Sequence, residues 1–78
     1  MDEMQLEENF RRNLKRRRRE LGLTQGEVAD RLGVTPQRVT QLERDLEASP
    51  TLKQVQQIAK ALECSPLTLL LQDEFATV

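Results

Sequence analysis

Gln37, Gln41 and Arg44 stand at i, i+4 and i+7, the spacing that gathers side chains on one face of a helix. The chemistry such a face offers is hydrogen-bond recognition. A Gln amide pairs with the N6 and N7 atoms of adenine, and an Arg guanidinium pairs with O6 and N7 of guanine. Arg38 and Thr40 flank this face and extend its set of donors. A second concentration of charge lies upstream, where Arg11, Arg12, Lys15, Arg16, Arg17, Arg18 and Arg19 put seven cations into nine residues. This run reads equally as a phosphate-attracting strip and as a solvated helix face offset by Glu7, Glu8 and Glu20, through pairs such as Glu8–Arg12. An acidic protein or RNA is a third use for it.

Other chemistries are poorly served. The chain contains no His and one Cys, which removes most zinc sites, a Ser-His-Asp triad and a Cys-His pair. No enzyme activity, no metal and no cofactor are expected. One Cys allows no internal disulfide, which suits a reducing cytoplasm, and Cys64 reads as core packing rather than redox chemistry. Two Phe, no Trp and no Tyr leave little for bases to stack on, which argues against single-strand recognition on aromatic platforms. Twelve Lys and Arg against 13 Asp and Glu give a formal net charge of −1. That balance argues against binding by bulk charge, but not against a local basic surface. No apolar run approaches the ~20 residues that span a bilayer, and the acidic start MDEMQLEE is unlike a signal peptide.

The elements that must position these side chains are helical. Seventy-eight residues make one small domain at most, read here as a single unit over 1–78 with a core over about 6–72. The tail, 73–78, has no clear period and is expected to fray or to join a dimer surface. Five blocks carry helical spacing. The first runs from about Leu6 to Leu21, with Leu6, Phe10, Leu14 and Leu21 on one face, and Gly22 ends it. The second opens on the capping box Thr24-x-x-Glu27, carries Val28, Ala29 and Leu32 inward, and closes at Gly33. The third starts at Thr35-Pro36, a cap followed by proline at the first helical position. It places Val39, Leu42, Glu43 and Leu46 on the side opposite Gln37, Gln41 and Arg44. The fourth follows Ser49-Pro50 and the capping box Thr51-x-x-Gln54, with Leu52, Val55, Ile58, Ala59 and Leu62 inward. The fifth follows Ser65-Pro66.

Two short helices joined by Gly33-Val34-Thr35 form a helix-turn-helix layout. Ala29 is small where the helix axes approach, Gly33 accepts a positive φ, and Val34 is expected to plug the angle between the helices. With these residues the chain resembles the lambda-repressor-like, Cro-type helix-turn-helix regulators, also called the xenobiotic-response-element family. The stretch LGLTQGEVADRLGVTPQRVTQLER carries the likeness, and SPTLKQVQQIAKALECSPLTLL continues it. Together they cover roughly residues 10–72, most of the chain.

The resemblance implies an all-α, five-helix domain in which the start of the third helix enters the major groove of DNA. It favours Gln37 and Gln41 as base readers, with Arg38 and Thr40 as secondary contacts. Pro36 departs from relatives that carry a polar reader at this position. A phosphate contact is implied at Gln25, where free N–H groups and the helix dipole already favour an anion; Thr35 and Arg44 complete the expected phosphate set. Arg44 also reads as a cation complementing the helix dipole. Gly26, unusual inside a helix, reads either as room for the phosphate or as tolerated drift. Glu43 points toward the core edge, where a carboxylate needs a partner. The wheel leaves Arg17 and Arg18 open for that role, and the resemblance selects Arg18. In the fifth block Leu67, Leu70 and Leu71 are expected to cap the core, leaving Leu69, with Phe75 and Val78, for a dimer surface.

The implied function is a sequence-specific, double-stranded DNA-binding transcriptional regulator. It would act as a cytoplasmic, bacterial or phage homodimer, repressing from an inverted-repeat operator. An antitoxin-like module that binds a partner protein and autoregulates its operon is the alternative.

Overall fold

The computed structural model describes residues 3–44 and 49–71, with side chains from residue 5 onward. Leu46, Phe75, Val78 and the tail 73–78, to which core and dimer roles were assigned above, lie outside the described residues. Five helices follow in order: α1 (Glu3–Glu20), α2 (Gln25–Leu32), α3 (Pro36–Arg44), α4 (Leu52–Ala61) and α5 (Pro66–Leu70). No strand occurs among the described residues. Among the described residues no helix is long and apolar enough to cross a membrane.

Local signals start and stop these helices. Thr24 and Glu27 form a reciprocal capping box at α2, as do Thr51 and Gln54 at α4, each satisfying two backbone donors that the helix leaves unpaired. The Thr24 backbone N–H, and then its hydroxyl, hold the Glu27 carboxyl below the usual carboxylate range. Because that folded-state value is lowered, the contribution is present above the unfolded carboxylate range and fades as pH falls through the folded one. The Ser65 hydroxyl caps α5 by accepting from Thr68 N–H.

Helices α1, α2 and α4 end on the same hydrogen-bonded turn. Gly22 and Gly33 take φ near +70° after α1 and α2, and Glu63 takes φ +58° after α4. The following residue in each case bonds back to a carbonyl five residues earlier: Leu23 to Arg18, Val34 to Ala29, Cys64 to Ala59. This is the Schellman arrangement, and at α4 it runs through a non-glycine residue.

Phe10 and Leu14 from α1, Val28 and Ala29 from α2, and Val39 and Leu42 from α3 meet Val55, Ile58 and Ala59 of α4, with Leu62 and Leu69 completing one core. Cys64 packs against this core half-buried, and burial pushes its thiol up.

Three apolar expectations are corrected. Leu69 does not face solvent; it is fully buried at 0%, while Leu67 is 61% exposed. Three leucines in a five-residue helix, with Leu71 just after it, leave spacing alone unable to select a face. The rotation of α5 is instead set by α1: Asn9 Nδ2 donates to Leu70 O, and Asn13 Nδ2 donates to Leu69 O and Leu71 O. Leu52 is 78% exposed rather than inward. It is the first residue of α4 and stands at the rim of a groove shared with Leu6, Phe10, Val55 and Leu70. Val34 does not plug the interhelical angle. Its backbone closes the α2 turn, and its side chain stays exposed over a small hollow beside Leu32 and Leu42.

Candidate nucleic-acid interface

The face of α3 that could read bases is defined by what holds its other face. Val39 and Leu42 are buried in the core, and Glu43 is buried at its edge. Gln37, Gln41 and Arg44 then project from the opposite side and are exposed. Among the described residues, none of these three side chains makes a hydrogen bond or ion pair, so their donors and acceptors remain available. Thr35 caps the helix: its hydroxyl accepts from Arg38 N–H at 3.2 Å, which leaves the hydroxyl proton free to donate outward.

Glu43 is locked from two directions. Arg18 Nε donates to Glu43 Oε2 at 2.7 Å and Arg18 Nη2 to Glu43 Oε1 at 3.1 Å, a two-pronged contact. The side chains are 12% and 1% exposed. Hydrogen bonding to Glu43, followed by its charge, raises the Arg18 guanidinium further above its ordinary value against the opposing cost of burial. Arg18 Nη1 also donates to Leu23 O. The pair thereby joins the last turn of α1, the chain entering α2, and the end of α3. It also neutralises the carboxylate at the end of α3.

Gln25 extends this lock. Its Nε2 donates to Glu43 Oε1 at 3.1 Å, and its Oε1 accepts from Thr40 Oγ1 at 2.7 Å. The first residue of α2 is thus bridged to two residues of α3 on the same side. Thr40 commits its single proton to this contact, with Pro36 O as a longer second acceptor at 3.2 Å. It therefore faces α2 rather than the outward face. Gln25 retains one amide hydrogen and its backbone N–H for an outside anion. Arg38 lies on the opposite flank of α3, half-buried beside Val34, Leu42 and Gln57. Of the residues expected at bases, Gln37 and Gln41 share the open face, while Arg38 and Thr40 stand at its two edges.

Gly26 follows Gln25 at the start of α2. A Cβ there would meet only Thr24 Oγ1, at 3.8 Å, an ordinary contact. Among the described residues nothing requires glycine at this position. Gly26→Ala is expected to raise stability by up to about 1 kcal/mol; weaker DNA binding by the same variant is expected under the reading that glycine makes room for a phosphate at the helix start. Thermal melting beside a binding titration checks both signs, and stabilisation with unchanged DNA affinity would contradict the close approach.

Three supporting residues carry no signal that composition or capping rules detect. Arg17 Nε donates to Leu62 O at 2.9 Å and Nη2 to Glu63 O at 3.1 Å, closing the end of α4 from α1. Asn9 and Asn13 do the same for α5. The one sequence hint is that two amides at i, i+4 interrupt the apolar side of α1 next to Phe10 and Leu14. Among the described residues no group of three or more His, Cys, Asp or Glu is placed to hold a metal ion.

Residues 14–69 match the helix-turn-helix family. A curated protein from Methanothermobacter thermautotrophicus (strain Delta H), described as an uncharacterized HTH-type transcriptional regulator, is 47% identical over 49 residues. The alignment covers 63% of this chain and 70% of that protein. No solved structure matches the chain.

Proposed function

This chain belongs to the helix-turn-helix family, of the lambda-repressor-like kind, and on that premise we propose that it is a DNA-binding transcription regulator that represses from an inverted-repeat operator as a homodimer. The observation that carries the reading is the outer face of α3. Gln37, Gln41 and Arg44 are exposed and, among the described residues, make no hydrogen bond or ion pair, on a helix whose opposite face is fixed by Val39, Leu42 and the Arg18–Glu43 pair. Gln37 and Gln41 read base edges in the major groove. The start of α2, with Gln25 and Gly26, and the hydroxyl of Thr35 hold phosphates. Arg44 clamps the backbone at the far end. Arg38 and Thr40 act at the edges, one toward the α4 side and the other through Gln25.

Self-association is supported by apolar surface left open. Leu67 on α5 and Leu52 beside its groove are the most exposed large hydrophobic residues among those described. With Leu69 inside the core, Leu67 takes over the role in dimer contact first assigned to Leu69, and Phe75 of the tail joins it. Two recognition helices related by a two-fold axis reach half-sites ~34 Å apart. An antitoxin-like complex with a different protein is the second reading, favoured by the same open apolar surface.

Selection of bound duplexes from a random pool, with the purified full chain, tests the proposal. An enriched inverted repeat with half-sites about one helical turn apart is the expected result. Salt-sensitive binding with no preferred sequence would contradict it.

A further inference from the structure

The basic run of α1 divides into two groups. Arg17 and Arg18 are used inside the fold, on Leu62 O and Glu63 O and on Glu43. Among the described residues, none of Arg11, Arg12, Lys15 and Arg19 makes an ion pair. At about 100° per residue, the cations fill one continuous arc of the helix. The arc starts at Arg18, on the edge that holds α3, passes through Arg11, Lys15, Arg19 and Arg12, and ends at Arg16. Arg12, Lys15, Arg16 and Arg19 line an open trough together with Glu20. Glu20 lies 3.4 Å from Arg17, and Glu8 shares the arc one turn before Arg12. The balance along the trough is strongly positive.

The placement of this arc gives it a partner. Only residues 21–24 separate α1 from α2, and Arg18 ties the last turn of α1 to Leu23 and to the Gln25–Glu43 contact. A phosphate backbone lying against the first turn of α2 therefore meets the last two to three turns of α1 next. From Arg12 to Arg19 the helix rises about 10 Å, about the length of three base pairs of duplex. We infer that the outer arc of α1 (Arg12, Lys15 and Arg19) binds the phosphates of duplex DNA flanking the operator. This inference rests on the proposed operator-binding function. The arc then adds affinity outside the base-reading site without adding sequence preference.

The test uses the full chain and the duplex recovered by selection, in two lengths: cut to the operator, and extended by about ten base pairs on each side. Wild-type protein is expected to bind the extended duplex more tightly. Two added phosphate contacts per subunit steepen the salt slope by about two, so the gain per subunit shrinks about tenfold between 50 and 200 mM salt. The variant Arg12→Gln/Lys15→Gln/Arg19→Gln is expected to lose this gain while binding the short duplex as wild type does and melting at the wild-type temperature. A variant that keeps the full gain would overturn the inference and leave RNA or an acidic protein as what the arc serves. Equal losses on both lengths would also overturn it, because the arc would then act within the operator. Failure of the wild type to prefer any duplex would instead overturn the operator reading beneath it.

Discussion

Arg18→Ala is expected to melt at a markedly lower temperature than wild type, and lower than Glu43→Ala. Removing one partner of a buried ion pair costs about 3–5 kcal/mol, because the other charge is left buried and uncompensated. For a domain of this size, each kcal/mol shifts the melting temperature by about 4–8 °C. The two deletions are not equivalent. Without Glu43, Arg18 keeps its bond to Leu23 O and some exposure through which to reach water. Without Arg18, the almost fully buried Glu43 carboxylate has only the Gln25 amide. The paired apolar replacement Arg18→Met/Glu43→Leu removes both charges and is expected to melt near wild type. It should still bind DNA weakly, since Gln25 has lost its acceptor and α3 its directional anchor. Single variants as stable as wild type would contradict the account. So would full DNA affinity in the double variant, which would deny the pair its role in orientation.

The second large effect lies at Asn13, which is fully buried. Its amide supplies hydrogen bonds to Leu69 O and Leu71 O, at the end of a helix only five residues long. So short a helix does not form on its own, and its last carbonyls have no partner within it. Asn13→Ala leaves those carbonyls unpaired beside a small cavity and is expected to cost about 2–4 kcal/mol. Asn13→Asp replaces the donor with a carboxylate facing two carbonyl oxygens, so the ionised form is disfavoured in the folded state and the carboxyl titrates above its unfolded value. A raised folded value means that the native state binds more protons. Stability is then greatest below the unfolded carboxylate range and falls as pH rises through the folded one. Denaturant melts of Asn13→Asp at several pH values should show stabilisation on acidification relative to wild type. A flat difference would show that the amide does not hold α5.

The features legible in the sequence are those whose causes are local. The Thr24–Glu27 and Thr51–Gln54 boxes, the prolines opening α3 and α5, and the turns at Gly22 and Gly33 are each written within a few residues, and α2, α3 and α4 fall where these signals put them. The inward direction of Glu43 was also legible, because Val39 and Leu42 fix the rotation of α3. What was not legible depends on partners distant in the chain. Asn13 meets residues 56 and 58 positions away, and nothing near Asn13 announces carbonyls in need of a donor. The same holds for Arg17, whose acceptors on the α4–α5 turn are set by tertiary placement. Leu69 was misassigned because α5 is too short for its own periodicity to decide its face. At the site, the open face of Gln37 and Gln41 followed from the helical wheel. The engagement of Thr40 and Gln25 with each other did not, because it depends on the angle between α2 and α3.

The most direct test of the central claim, that the outer face of α3 reads base edges, compares Gln41→Ala with Arg44→Ala on the selected operator and on duplexes substituted one base pair at a time. Gln41→Ala is expected to relax discrimination at one position in each half-site by about 1–3 kcal/mol, leaving other positions unchanged. Arg44→Ala is expected to weaken all duplexes alike and flatten the salt slope by about one per subunit. Uniform weakening by Gln41→Ala, indistinguishable from that of Arg44→Ala, would contradict base reading by this face.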